Sequence, residues 1–180
     1  EIADNNPIVC ADAVSVPGPA ATLALIALGP LIRAGLLVES PVMQVAGAHA
    51  GEDIEGFLSR EGWGGGIEVS YGDEDFGSVV TANVVAVVRT PRDRDEMDEL
   101  FRESYGRSFY VREHTAGGWD TSLVAGHPFA LYDLSYTSGG GSSLLTVRVM
   151  ADRDGKCGAA QVVHALNLMC GFEECTGIGV

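Results

Sequence analysis

Basic charge is what this chain of 180 residues most lacks: one lysine, Lys156, and ten arginines stand against 25 acidic residues, a formal net charge of −14. That balance excludes nucleic acid and anionic membrane surfaces as partners, because phosphate binding needs clustered Lys and Arg. Long apolar runs are missing too. The longest, Pro19 to Ile32, falls short of the ~20 residues a bilayer crossing needs, is interrupted by Gly29-Pro30 and ends at Arg33. No basic segment precedes it, so it does not read as a secretion signal, and a soluble chain without membrane insertion is expected. Cys10, Cys157, Cys170 and Cys175 show no CxxC spacing and no ordered histidine partners, which argues against a metal site. They read as buried free thiols, with Cys170 and Cys175 alternatively pairing across a turn. A dinucleotide fingerprint is also absent: no strand leads into GxGxxG, and "SGGGSS" (138–143) joins two strands instead of opening a helix.

What is present suits a folded domain. Hydrophobic residues make up 46% and charged residues 20%, and no linker interrupts them. Residues 1–13 are polar and irregular, and 14–180 read as a single α+β domain. A turn at Val16-Pro17-Gly18 feeds an apolar helix running to Gly35, followed by a short strand, Pro41–Ala46. Glu52–Arg60 is a helix and Gly62–Gly66 a loop around Trp63. The β-branched run Val79–Arg89 is a central strand. Thr90 as N-cap, Pro91 in the first turn and Asp93 open a helix that places Met97, Leu100, Phe101 and Tyr105 on one face. Ser108–Glu113 is a strand, and "ALYDLSYT" and "SLLTVRVMAD" flank the glycine loop as an antiparallel hairpin. Cys157–Cys170 is a helix apolar on nearly every face, expected to be buried and ended by Gly171. Strands segregated from helices predict a mixed, mostly antiparallel sheet covered by helices on one side.

The last stretch, "GKCGAAQVVHALNLMCGFEECTGIGV", resembles the end of N-acetyl-γ-glutamyl-phosphate reductase, an NADPH-dependent enzyme of arginine biosynthesis. Lys156, Ala159, Gln161, Val163, Asn167, Leu168, Met169, Gly171, Glu174, Thr176 and Gly177 fall in register with that family's pattern. Pro17, Gly18, Pro30, Leu31, Ala34, Gly35 and Leu36 match its P-G-C…P-L-x-x-A-G-L stretch at the same spacing, and "GGWDTSLVAGHPF" is similar to a middle segment. The resemblance implies the family's substrate and dimerisation domain, similar to the C-terminal domain of glyceraldehyde-3-phosphate dehydrogenase.

The departures bear on chemistry. Pro19 stands where the family carries its nucleophilic cysteine. Most of the hairpin that supplies the acid/base histidine is missing, and His49, within "HAGEDI", is the sole histidine nearby. The substrate-binding arginine would fall near Gly77, where Asp73, Glu74 and Asp75 would repel an anionic acyl phosphate. The expectation is a non-catalytic domain with no cofactor and no metal, kept for assembly or self-association. Its apolar last helix would be covered by another chain or another part of the polypeptide. The alternative is the C-terminal half of a divergent reductase that draws NADP from a domain outside this chain. It would use Cys10 or Cys157 as its thiol and the family-like helix start Lys156, Gly158, Gln161 near the cofactor. Cys157, opening a helix beside Lys156, reads either as a low-pKa thiol or as a packing thiol. A third reading is a small-molecule cleft around Trp63, Trp119 and His127.

Overall fold

Pro19 opens helix α1 (Pro19–Arg33), where a missing N–H costs nothing, and residues Ala20 to Ile32 are all buried. Pro30 lies inside the helix and has no N–H to return to the Ile26 carbonyl. The Tyr105 hydroxyl supplies the missing donor at 2.8 Å. Tyr105 ends helix α3 (Asp95–Tyr105), so the proline that would weaken α1 becomes the point where α3 is fastened to it. These contacts come from a computed structural model that describes residues 8–91, 95–115 and 117–179.

The remaining elements are strand β1 (Val42–Ala46), helix α2 (Ile54–Arg60), strands β2 (Glu68–Gly72), β3 (Val79–Arg89), β4 (Val111–Glu113), β5 (Ala130–Thr137) and β6 (Ser142–Asp152), and helix α4 (Ala159–Cys170). The strands form one six-stranded sheet in the order β2-β1-β3-β6-β5-β4. β1 pairs with β2 and β4 with β5 in parallel, and the three inner pairings are antiparallel. The protein is an α+β fold with a mixed, mostly antiparallel sheet.

Alternation decides which side is covered. Met43, Val45, Val80, Val84, Ala86, Val88, Leu145, Val147, Val149 and Tyr132 point into one core with α1, Leu58 of α2, and Met97 and Phe101 of α3. Among the described residues the opposite face carries a small cluster, Val79, Val124, Leu131 and Met150, flanked by Trp119 and Phe129. Among those residues the rest of that face is bare, with Val42, Asn83 and Leu144 exposed and Val85 and Val87 half-buried. Its register aligns Val42 with Val85, Val87 with Leu144, and a polar row Gln44–Asn83–Arg148–Asp133 across four strands.

Several expectations are corrected. β2 is an additional edge strand that its polar, exposed Glu68 and Ser70 conceal. The strand expected over Ser108–Glu113 shortens to β4, because the Ser108 hydroxyl accepts the Tyr110 and Val111 amides and holds a turn there. The Thr90 hydroxyl lies 3.2 Å from that of Ser143, and Asp93 falls outside the described residues. α4 starts at Ala159, two residues late, and is not buried: only His164 and Asn167 are, while Val162 and Leu166 are each 52% exposed. The buried stripe packs on Tyr110, whose ring lies 4.5 Å from that of His164, and on the C-terminal segment. Composition made α4 apolar, but nothing among the described residues covers its outer side.

Candidate functional site

The Pro-Gly-Pro turn before α1 is held by Glu52, three residues from His49. The Glu52 carboxylate accepts the Ala20 amide at 3.2 Å and the Ala21 amide at 2.9 Å, capping the helix from a distant loop. This is the positive end of the helix dipole, and a carboxylate of the chain itself occupies it. The approach explains Gly18: a Cβ there would lie 2.7 Å from the Glu52 carboxyl carbon. Burial and the Glu52 charge both raise the Tyr71 phenol above its ordinary range, a sign that Tyr71 shares this corner.

Cys157 reaches the same turn from the other end of the chain, with its Sγ 3.9 Å from the Pro19 carbonyl oxygen. Burial pushes its thiol up to about 12. Lys156 pulls the value down, but the Glu52 and Asp152 carboxylates push it up with the burial. The low-pKa thiol considered from the helix start is therefore corrected: Cys157 precedes α4 instead of opening it, is 4% exposed, and stays protonated at neutral pH. Cys10 is not brought to the turn. Its amide donates to the Met169 carbonyl near the far end of α4, at 3.0 Å, and its side chain is exposed. Cys170 and Cys175 are also exposed and free, so three of the four cysteines are not the core thiols their composition suggested.

The helix-start residues do not fit a dinucleotide. Gln161 faces α1, its Oε1 3.3 Å from the Thr22 hydroxyl. Lys156 is 5% exposed, with its ammonium over the Tyr110 ring. A Cβ on Gly158 would lie against the Arg153 carbonyl oxygen, so Gly158 serves a tight turn. The Ala160 amide in the first turn of α4 donates to the Asp154 carbonyl at 3.0 Å. A phosphate would find these groups already used.

His49 lines a groove of about 440 Å³ with Asp73, Glu74, Asp75 and Arg153. Arg153 is turned to the Gly47 carbonyl, and no residue of α1 or its turn borders the groove. Gly77 sits exposed in the β2–β3 turn, at φ +66°, with its amide donated to the Asp75 carboxylate. The structure thus joins His49 to the acidic segment but not to Pro19. Among the described residues no cluster of His, Cys, Asp and Glu is arranged to hold a metal ion, and no helix is long and apolar enough to cross a membrane.

The expected aromatic cleft is dispersed. Trp63 packs under its own loop, donating to the Gly66 carbonyl at 3.1 Å. Trp119 lies on the bare face, with the Arg148 guanidinium 4.7 Å from its ring centre, in a cavity of about 230 Å³ with Gln44, Asn83 and Phe76. His127 lines a different cavity beside Asp152.

Asp152 itself was not visible as a key residue. It is 3% exposed and accepts four hydrogen bonds: from the Ser78 hydroxyl at 2.6 Å and the amides of Gly126, Asp154 and Gly155 at 2.7, 2.9 and 3.0 Å. It pins the β2–β3 turn, the loop before β5 and the turn into α4 at one point. Only the "ADRDG" turn after a strand hinted at it. No protein-family model matches this chain, and no curated protein matches it either.

Proposed function

We propose that this chain is a non-catalytic domain derived from the N-acetyl-γ-glutamyl-phosphate reductase family, serving as a self-associating or assembly subunit. The observation that carries the reading is the filled turn: Pro19 has no nucleophile to offer, and Glu52 occupies the helix end where an anionic substrate would be stabilised. Losing a covalent nucleophile removes the thioester route, and losing the general acid/base costs a further ~10²–10⁴ in rate. His49, away from the turn among carboxylates, does not replace it.

Assembly is supported by surfaces. Val42 and Leu144, 46% and 44% exposed, frame Val85 and Val87 at one end of the bare sheet face. A face of this kind, apolar at one end and polar across the middle row, suits an isologous contact between two copies. Sedimentation velocity across a concentration series tests this. The chain is expected to dimerise, and Leu144→Glu to hold it monomeric by burying a charge without a partner. A monomer at several hundred micromolar would defeat the proposal.

One observation favours the alternative of a divergent reductase half with an external NADP-binding domain: the Cys157 sulfur lies beside the turn where the family keeps its own. Turnover of an acyl phosphate by NADPH that vanishes in Cys157→Ser would establish that reading.

A further inference from the structure

We infer that Cys10 and Cys170 are a reversible disulfide pair that ties the start of the domain to the end of α4. The Cys10 amide donates to the Met169 carbonyl at 3.0 Å, and that carbonyl belongs to the peptide bond leading into Cys170. Standard peptide dimensions then place the two Cα atoms ~5–7 Å apart. Bridged cysteines have Cα separations of about 4.4–6.8 Å. Both thiols are free and exposed.

The backbone carries a second mark. Cys10, at φ +61°, is the one non-glycine residue with positive φ among the described residues. An L-residue adopts this conformation only when its surroundings impose it, and such outliers concentrate at functional positions. Here the hydrogen bond to Met169 accompanies it. Cys175 is held differently: Asn167 Nδ2 donates to the Glu174 and Thr176 carbonyls, clamping the backbone on both sides of Cys175.

The oxidant required is a low-molecular-weight disulfide, RSSR. One cysteine thiolate attacks it, forming a protein–S–S–R bond and releasing RS⁻. The second thiolate then attacks the protein sulfur of that mixed disulfide, forming the Cys10–Cys170 bond and releasing a second RS⁻. The two thiol protons end on two RSH molecules, and the protein loses the two electrons that RSSR gains. The bond closes almost the whole domain into one loop and fixes the segment around Val9 against the end of α4, near the exposed Phe172. A loop this long restricts the unfolded chain strongly.

The test uses the reduced full chain equilibrated with oxidised glutathione, quenched with acid, digested without reductant and mapped by mass spectrometry. The expected product is a Cys10–Cys170 cross-linked peptide pair, with Cys175 still open to alkylation and Cys157 alkylated only after unfolding. Its thermal midpoint should lie about 5–15 °C above that of the reduced chain. Cys175→Ser should keep both the cross-link and the shift, and Cys10→Ser should lose both. A Cys170–Cys175 link, stable mixed disulfides alone, or an unchanged shift in Cys10→Ser would each overturn the inference.

Discussion

Replacing Tyr105 with Phe removes a single oxygen and should cost far more than an oxygen on the surface would. Pro30 withholds the N–H that Ile26 would receive four residues on, and the Tyr105 hydroxyl replaces it at 2.8 Å. Ile26 is 0% and Tyr105 2% exposed, so no water can take over. The aromatic ring remains in Phe, and its packing on Phe101 and Tyr132, at centroid distances of 6.1 and 5.5 Å, is kept. What is lost is the donor to a buried carbonyl, worth about 1–3 kcal/mol. Urea unfolding followed by the fluorescence of Trp63 and Trp119 measures it. With a slope of about 2 kcal/mol/M, the midpoint should fall by about 0.5–1.5 M. The decisive comparison is made in the Pro30→Ala background. An alanine there restores the helical N–H, so the same Tyr105→Phe change should cost about 1 kcal/mol less. Equal costs in the two backgrounds would refute the claim that the tyrosine answers the proline.

Further outcomes follow from the two carboxylates that organise turns. Burial works to raise the Asp152 pKa, but its four hydrogen bonds outweigh that and hold it below the ordinary 3.8. Its stabilisation is therefore fully present above that value and is lost as pH falls through the lower folded value. Asp152→Asn should cost about 2–4 kcal/mol at pH 7 and flatten the acid limb of stability against pH; an unaltered limb in urea titrations would contradict this. Glu52→Ala should cost about 1 kcal/mol, lowering the thermal midpoint by about 2–4 °C. Gly18→Ala should cost a similar amount by displacing the same carboxylate, and the double variant little more than either. Full additivity in calorimetry would mean the glycine is kept for another reason.

The legible parts of this fold are those whose signal is local. Val79–Arg89 became β3 at the expected limits because β-branched residues suit a paired strand, and the "SGGGSS" loop closed the β5–β6 hairpin it punctuated. The core face of α3 was legible from the four-residue spacing of Met97, Phe101 and Tyr105. β2 was not, because an exposed edge strand needs only backbone partners and its Glu68 and Ser70 mimic a loop. The burial of α4 was misjudged for a related reason: an apolar helix states what it would bury, and only its neighbours decide whether it does.

The amino-acid order alone determined that the α1 turn carries no nucleophile, since a proline ring has nothing to ionise whatever surrounds it. It also determined the acidic surface and the limits of the β-branched strand β3. Only the folded chain decided that Glu52, 31 residues beyond Ala21, caps that turn, and that Cys157 lies beneath it. It decided as well that Cys10 meets the end of α4. Propensity acts over a few residues and can be read along the chain, whereas a pKa, a cap or a thiol pair depends on groups that only packing brings within a few ångströms.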